Sequence, residues 1–146
     1  MGRFIGVGVV LLLGFGILST PVSAQSGSGN RDRGFQLEQN FPNPFNPVTR
    51  IPFVLREEMF EDGKPAVVTI RVYNVLRQLV AVPTALDHPS GNATPVEHLE
   101  YATPGRHVAY WDGLDRDGRK VASGIYFVLM WVNGQSPLMM KVTVAK

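Results

Sequence analysis

From Phe35 to the C-terminus the apolar residues recur at every second position, and no run of a dozen residues keeps the spacing of an amphipathic helix. Successive side chains of a strand point to opposite faces, so this period predicts strands. In TRIPFVL (49–55) Ile51, Phe53 and Leu55 share one face; in VVTIRVYNV (67–75) Val68, Ile70 and Val72 point one way and Thr69, Arg71 and Tyr73 the other. RHVAYW (106–111), GIYFVLMWV (124–132) and LMMKVTV (138–144) continue the pattern, giving at least five strands. Pro52 has no backbone donor, so the strand at 49–55 is expected at a sheet edge, or with the side of that missing donor turned to solvent.

The last two strands predict their own register. Asn133-Gly134 is a strong type I′ hairpin signal, because both central residues of that turn need positive φ. A two-residue loop sets Val132 opposite Gln135, then Leu129 opposite Leu138, Phe127 opposite Met140 and Ile125 opposite Val142. Opposed residues share a face, so one side is apolar on both strands and Lys141 and Thr143 fall on the other. Tyr126, Val128, Met130 and Val132 make the second face of 124–132 apolar as well. That face is either covered by a neighbouring segment or is a docking surface for another protein.

The candidate cover is FPNPFNP (41–47), with three prolines and two phenylalanines in seven positions. No helix or central strand tolerates that composition. As a polyproline II helix it presents Asn40, Asn43 and Asn46 on one face, Phe41, Pro44 and Pro47 on a second, and Gln39, Pro42 and Phe45 on the third. Asn-Pro turns at 43–44 and 46–47 are the alternative geometry. In either form the segment reads as a structural cap on a sandwich edge, where scarce donors discourage strand addition.

The N-terminus has a different texture. Arg3 precedes an almost wholly apolar run from Phe4 to Leu18, and Val22-Ser23-Ala24 supplies the small residues of a signal-peptidase site. We read residues 1–24 as a signal peptide cleaved after Ala24; an uncleaved anchor over 4–22 is the alternative. No cysteine follows the site, which excludes a lipoprotein anchor. QSGSGNRDRG (25–34) reads as a flexible linker, leaving residues 35–146 as one domain.

The 146 residues carry 14 Lys and Arg against 12 Asp and Glu, and cleavage removes one of the basic residues, Arg3. So balanced a surface gives no electrostatic reason to expect nucleic acid as a partner. With no cysteine, an exported domain has no disulfide and must be held by its core, for which about 110 residues suffice.

Candidate chemistry is sparse. DGLDRDG (112–118) gathers Asp112, Asp115 and Asp117, but a calcium loop of the EF-hand type needs a Glu where Ser123 stands. Asp117-Gly118 is a turn signal, and Asp112 can bond nearby amides. His88, His98 and His107 have no zinc-ligand spacing. Glu57-Glu58 and Glu61-Asp62 read as a solvated acidic loop, Asn92-Ala93-Thr94 as an exposed loop, and Trp111 as core. No nucleophile, phosphate-binding or dinucleotide motif appears, so no catalytic residue, cofactor or metal ligand is nominated.

QNFPNPFNPVTRIPFVL (39–55) resembles the opening of type A sorting domains of the type IX secretion system, which stand at the C-termini of exported bacterial proteins and are related to the Ig-like domain of the flagellar hook-capping protein. PGRHVAYWDGLDRDGRKVASGIYFVLM (104–130) and the terminal MMKVTVAK (139–146) are similar to the later parts of those domains, so the resemblance spans Phe35 to Lys146. It implies an antiparallel Ig-like β-sandwich of about seven strands. Its structural motif positions are Asn40, Phe41, Pro42, Asn43, Pro44, Phe45, Asn46, Pro47, Trp111, Asp112, Gly113, Gly118, Gly124 and Tyr126.

The function it implies is a secreted or cell-surface, non-catalytic, monomeric module that travels through the periplasm. Outer-membrane export machinery would recognise it through Met139, Lys141, Thr143 and Lys146 of the final strand. The alternative is an extracellular adhesion or assembly module that binds a surface protein through the same fold. Three departures stand out. Arg77 occupies a position where the family usually has glycine, 83–103 is longer than the usual connection, and no large cargo domain precedes the module.

Overall fold

The structure, a computed structural model, describes Gly2 and residues 33–145. The rest of the expected signal peptide, and the linker up to residue 32, lie outside the described residues. Gly34, at the end of that linker, is buried against Met59, and its carbonyl accepts the Arg56 amide.

Nine strands follow: β1 (Phe35–Leu37), β2 (Thr49–Leu55), β3 (Ala66–Tyr73), β4 (Leu79–Ala81), β5 (Thr84–Ala85), β6 (Leu99–Tyr101), β7 (Gly105–Trp111), β8 (Gly124–Val132) and β9 (Leu138–Val144). A short 3-10 turn, Glu57–Phe60, joins β2 to β3. The strands make two antiparallel sheets in the orders β1-β2-β7-β5 and β4-β3-β8-β9, with β6 beside β4 on the outer edge of β3. Leaving out β4 and β6, the seven remaining strands have the order of a constant-type immunoglobulin sandwich. The two supernumerary strands both lie on the β3 edge.

The period-two pattern turns one face of each long strand inward. Ile51, Phe53 and Leu55 of β2 and Val68, Ile70 and Val72 of β3 are fully buried, and Ala109 and Trp111 of β7 join the same core. At roughly 1.5–3 kcal/mol for each large apolar side chain, this burial is what holds a domain without disulfides.

Pro52 does not mark an edge. β2 lies between β1 and β7, with Pro52 opposite Val108. The Pro52 carbonyl accepts the Glu38 amide on the β1 side, so its missing donor faces that side too, immediately beyond Leu37 where β1 ends. The proline shortens the neighbouring strand and leaves its own in the interior of the sheet.

The register of the final hairpin also departs from expectation, by one residue. Asn133 and Gly134 both have positive φ and the Gln135 amide bonds Val132 O, as a two-residue turn requires. One residue more than the turn demands then intervenes before β9, Pro137 offers no donor, and Leu138 pairs with Met130 instead of Leu129. Tyr126 thereby opposes Val142 and Val128 opposes Met140. A single-residue slip reverses every side chain. The core face of β8 is Tyr126, Val128, Met130 and Val132, while Ile125, Phe127 and Leu129 point outward with Met139, Lys141 and Thr143.

The long connection after β4 is ordered in spite of its patternless sequence. Val96 is fully buried, its carbonyl accepts the Ile70 amide and its amide donates to Pro83 O. The His98 amide donates to Thr69 Oγ1, and Thr84 bridges Pro95. The segment thus closes the β3 edge between β4 and β6.

Candidate functional site

The motif positions converge at one end of the sandwich. Phe45 is buried and meets Trp111 edge to face, with ring centroids 5.1 Å apart, and Trp111 in turn meets Tyr126 at 5.7 Å. The Trp111 indole donates to Leu114 O, and the Tyr126 hydroxyl donates to Ala122 O at 2.8 Å. Burial pushes the Tyr126 phenol above its ordinary value. Gly113 has positive φ, and any Cβ there would run into the Pro47 carbonyl, so the loop after β7 closes over the proline-rich segment only with glycine.

That segment is not a polyproline II helix. Phe41–Pro42, Asn43–Pro44 and Asn46–Pro47 are cis, and bends at 42–44 and 46–47 make the segment face two ways. Phe41 is 72% exposed while its backbone bridges Arg50, and Phe45 points inward. Asn40 is buried, donating to Pro42 O and to Thr49 Oγ1 at 3.0 Å. Asn43 Oδ1 accepts the Thr143 amide, the Phe45 amide donates to Thr143 O, and the Ala145 amide donates to Phe45 O. The segment therefore seals the last residues of the β9 edge. Pro42, Asn43, Pro44, Asn46 and Pro47 expose their side chains, while Phe45 turns into the core and reaches Tyr126 of β8 through Trp111.

On that outer face, rows of side chains cross three strands. Tyr73, Phe127 and Lys141 form one row, and Arg71, Leu129 and Met139 the next. Ile125 is 45% exposed and Met139 68%. Arg71 donates to Glu97 at 2.7 Å and stands over the Trp131 ring at 5.7 Å. The bond it donates to Glu97, then one it donates to Tyr73, holds its guanidinium above the ordinary value. A hollow of about 580 Å³ lies between Phe127, Leu129, Met139 and the turn from β3 to β4. On that turn Val75 and Leu76 are 64% and 74% exposed.

Of the recognition residues expected on the final strand, Met139 and Lys141 face solvent, Thr143 is half buried, and Lys146 lies outside the described residues. Ile125, Phe127 and Leu129 were assigned to the core by the expected register, and the slip brings them to this surface. Val75 and Leu76 carried a signal of their own, an apolar pair between the turn-forming Asn74 and Gln78.

The remaining candidates are local devices. Asp112 Oδ1 accepts the Leu114 amide, Asp115 Oδ1 accepts the amides of Asp117 and Arg119, and Gly118 completes the turn with φ 77°. Gly124 opens β8 opposite Val144. His88 and His107 do come together, flanking the Tyr101 ring at 4.9 and 4.6 Å, while their Nε2 atoms bond Glu100 O and Thr103 O. Burial pushes the Tyr101 phenol up to about 12. Among the described residues no three His, Asp or Glu side chains converge as a metal site requires, and no helix is long and apolar enough to cross a membrane.

No family model and no curated protein matches the chain. Among solved structures the chain is similar to PorZ, described as an essential bacterial surface component of the type IX secretion system of Porphyromonas gingivalis. Identity is 16% and the TM-score 0.44, over 74% of this chain. The chain matches 11% of the length of that protein.

Proposed function

We propose that this is a secreted, non-catalytic sandwich module which outer-membrane export machinery of the type IX kind recognises through the outer face of its final hairpin. The observation that carries the reading is the asymmetry of β9. Its inner face is core and its last residues are clamped by Asn43 and Phe45, while Met139 and Lys141 stand in solvent beside an apolar hollow. A terminal strand that is fixed by its neighbours and still displays apolar and basic side chains suits a signal read in the folded state. The sequence resemblance of residues 35–146 to sorting domains supports the same reading.

The test is export. Removal of Leu138–Lys146 is expected to hold the chain in the periplasm of a type IX-secreting host, and delivery outside the cell at the parental level would overturn the proposal. An adhesion or assembly module is the second reading, favoured by the apolar hollow itself; it predicts the mature chain as a stoichiometric part of a surface complex.

A further inference from the structure

We infer that the turn Val75-Leu76-Arg77, with the adjoining outer face of β8 and β9, docks on an anionic lipid bilayer. Five large apolar side chains are exposed among the described residues, and four of them, Val75, Leu76, Ile125 and Met139, lie on this turn and face. Such concentration marks a binding surface, whereas scattered single residues would not.

The charges choose the partner. Arg77 borders the hollow and the exposed Lys141 shares the face, whereas no carboxylate lines the hollow. Two cations on an apolar face whose hollow holds no carboxylate are complementary to an anionic surface.

The backbone separates a bilayer from an acidic peptide. Asn74 Oδ1 accepts the amides of Leu76 and Gln78, and Asn74 O accepts the Arg77 amide. Asn74 Nδ2 also donates to Gln78 Oε1 at 2.8 Å. The tip thus presents two adjacent aliphatic side chains while three of its amides are already bonded. That combination can enter the headgroup boundary without stranding those donors, and it holds them back from a partner strand. Val75 and Leu76 would sit at the acyl boundary with Arg77 and Lys141 on the phosphates. Two such cations are worth roughly 30-fold in affinity.

This inference concerns the same face as the proposed export signal, and vesicles without any secretion machinery read it separately from export. The chain has no cysteine, so Leu76→Cys carries a single environment-sensitive fluorophore in the full chain, with Ser90→Cys as the control position. The apolar N-terminal run can itself reach lipid, so the readout is positional. On phosphatidylcholine vesicles containing phosphatidylglycerol, the label at 76 is expected to shift to the blue and to be quenched by doxyl lipids. The label at 90 is expected to do neither. About 0.5 M salt should weaken the response several-fold. Arg77→Gly with Lys141→Gln should lower the apparent affinity roughly 30-fold. A label at 76 that stays in water, responds equally without phosphatidylglycerol, or behaves like the one at 90 overturns the inference. A shift produced only by an acidic, leucine-rich peptide also overturns it and assigns the surface to a protein partner.

Discussion

Phe45 and Trp111 meet edge to face, centroids 5.1 Å apart and planes at 60°, although 65 positions of chain separate them. Through this contact the proline-rich segment is anchored in the core while its backbone holds the end of β9. Phe45→Ala should therefore cost about 3–5 kcal/mol in urea unfolding, the range for a buried phenylalanine. A loss under about 1 kcal/mol would mean that the segment lies loosely on the sandwich.

Asn40 makes the same segment turn. Its buried amide ties Pro42 O to Thr49 Oγ1, and Thr49 Oγ1 itself donates to Pro42 O at 2.9 Å. Asn40→Ala removes the amide and strips acceptors of a partner in a buried place. The expected cost is about 1–3 kcal/mol in the same unfolding measurement. Asn46→Ala, at an exposed position, should change stability by less than about 0.5 kcal/mol.

Arg77 holds φ 61° at the tip of its turn, a conformation that glycine adopts freely and other residues at a cost. Glycine would take that geometry freely, and the arginine keeps the turn without it. Arg77→Gly should raise stability by about 1 kcal/mol, seen as a higher melting temperature. Arg77→Ala, which keeps the strain, should not.

Tyr101 gives the domain an alkaline signature. Burial raises its pKa from 10.0 to about 12, and its hydroxyl is buried without a hydrogen-bond partner. The unfolded chain releases this proton near 10 and the folded one only near 12, so the unfolded state binds fewer protons between those values. Stability contributed by the neutral phenol is complete below pH 10 and declines as pH rises through that window. Tyr126, also raised by burial, acts in the same direction. Tyr101→Phe should flatten the decline in urea midpoints above pH 10 and leave the neutral-pH midpoint unchanged or higher.

The long strands were legible because alternation over seven or more residues has no competing explanation, and every residue the pattern selects in β2 and β3, Ile51, Phe53, Leu55, Val68, Ile70 and Val72, is fully buried. β1, β4, β5 and β6 have two or three residues each, too few to show a period. The hairpin register was misread because β8 is apolar on both faces. Its pattern accepts either register, and the residue added before β9 is silent in a two-residue turn signal. Pro52 misled in another way, since a missing donor constrains only one side of a strand and the neighbour simply stopped there. The exposed hollow was invisible for the same reason as the register. Its walls, Phe127 and Leu129, were counted as core.

Under the proposed function, adjacent residues of β9 separate folding from recognition. Leu138 is buried under the sandwich and Met139 stands beside it in solvent. The decisive measurement is the fraction of Met139→Asp chain delivered outside the cell, compared with its own melting curve and with Leu138→Asp. Leu138→Asp is expected to lose cooperative melting and export together, whereas Met139→Asp should melt like the parent and stay behind in the periplasm. Parental export of a folded Met139→Asp chain would contradict the proposed function.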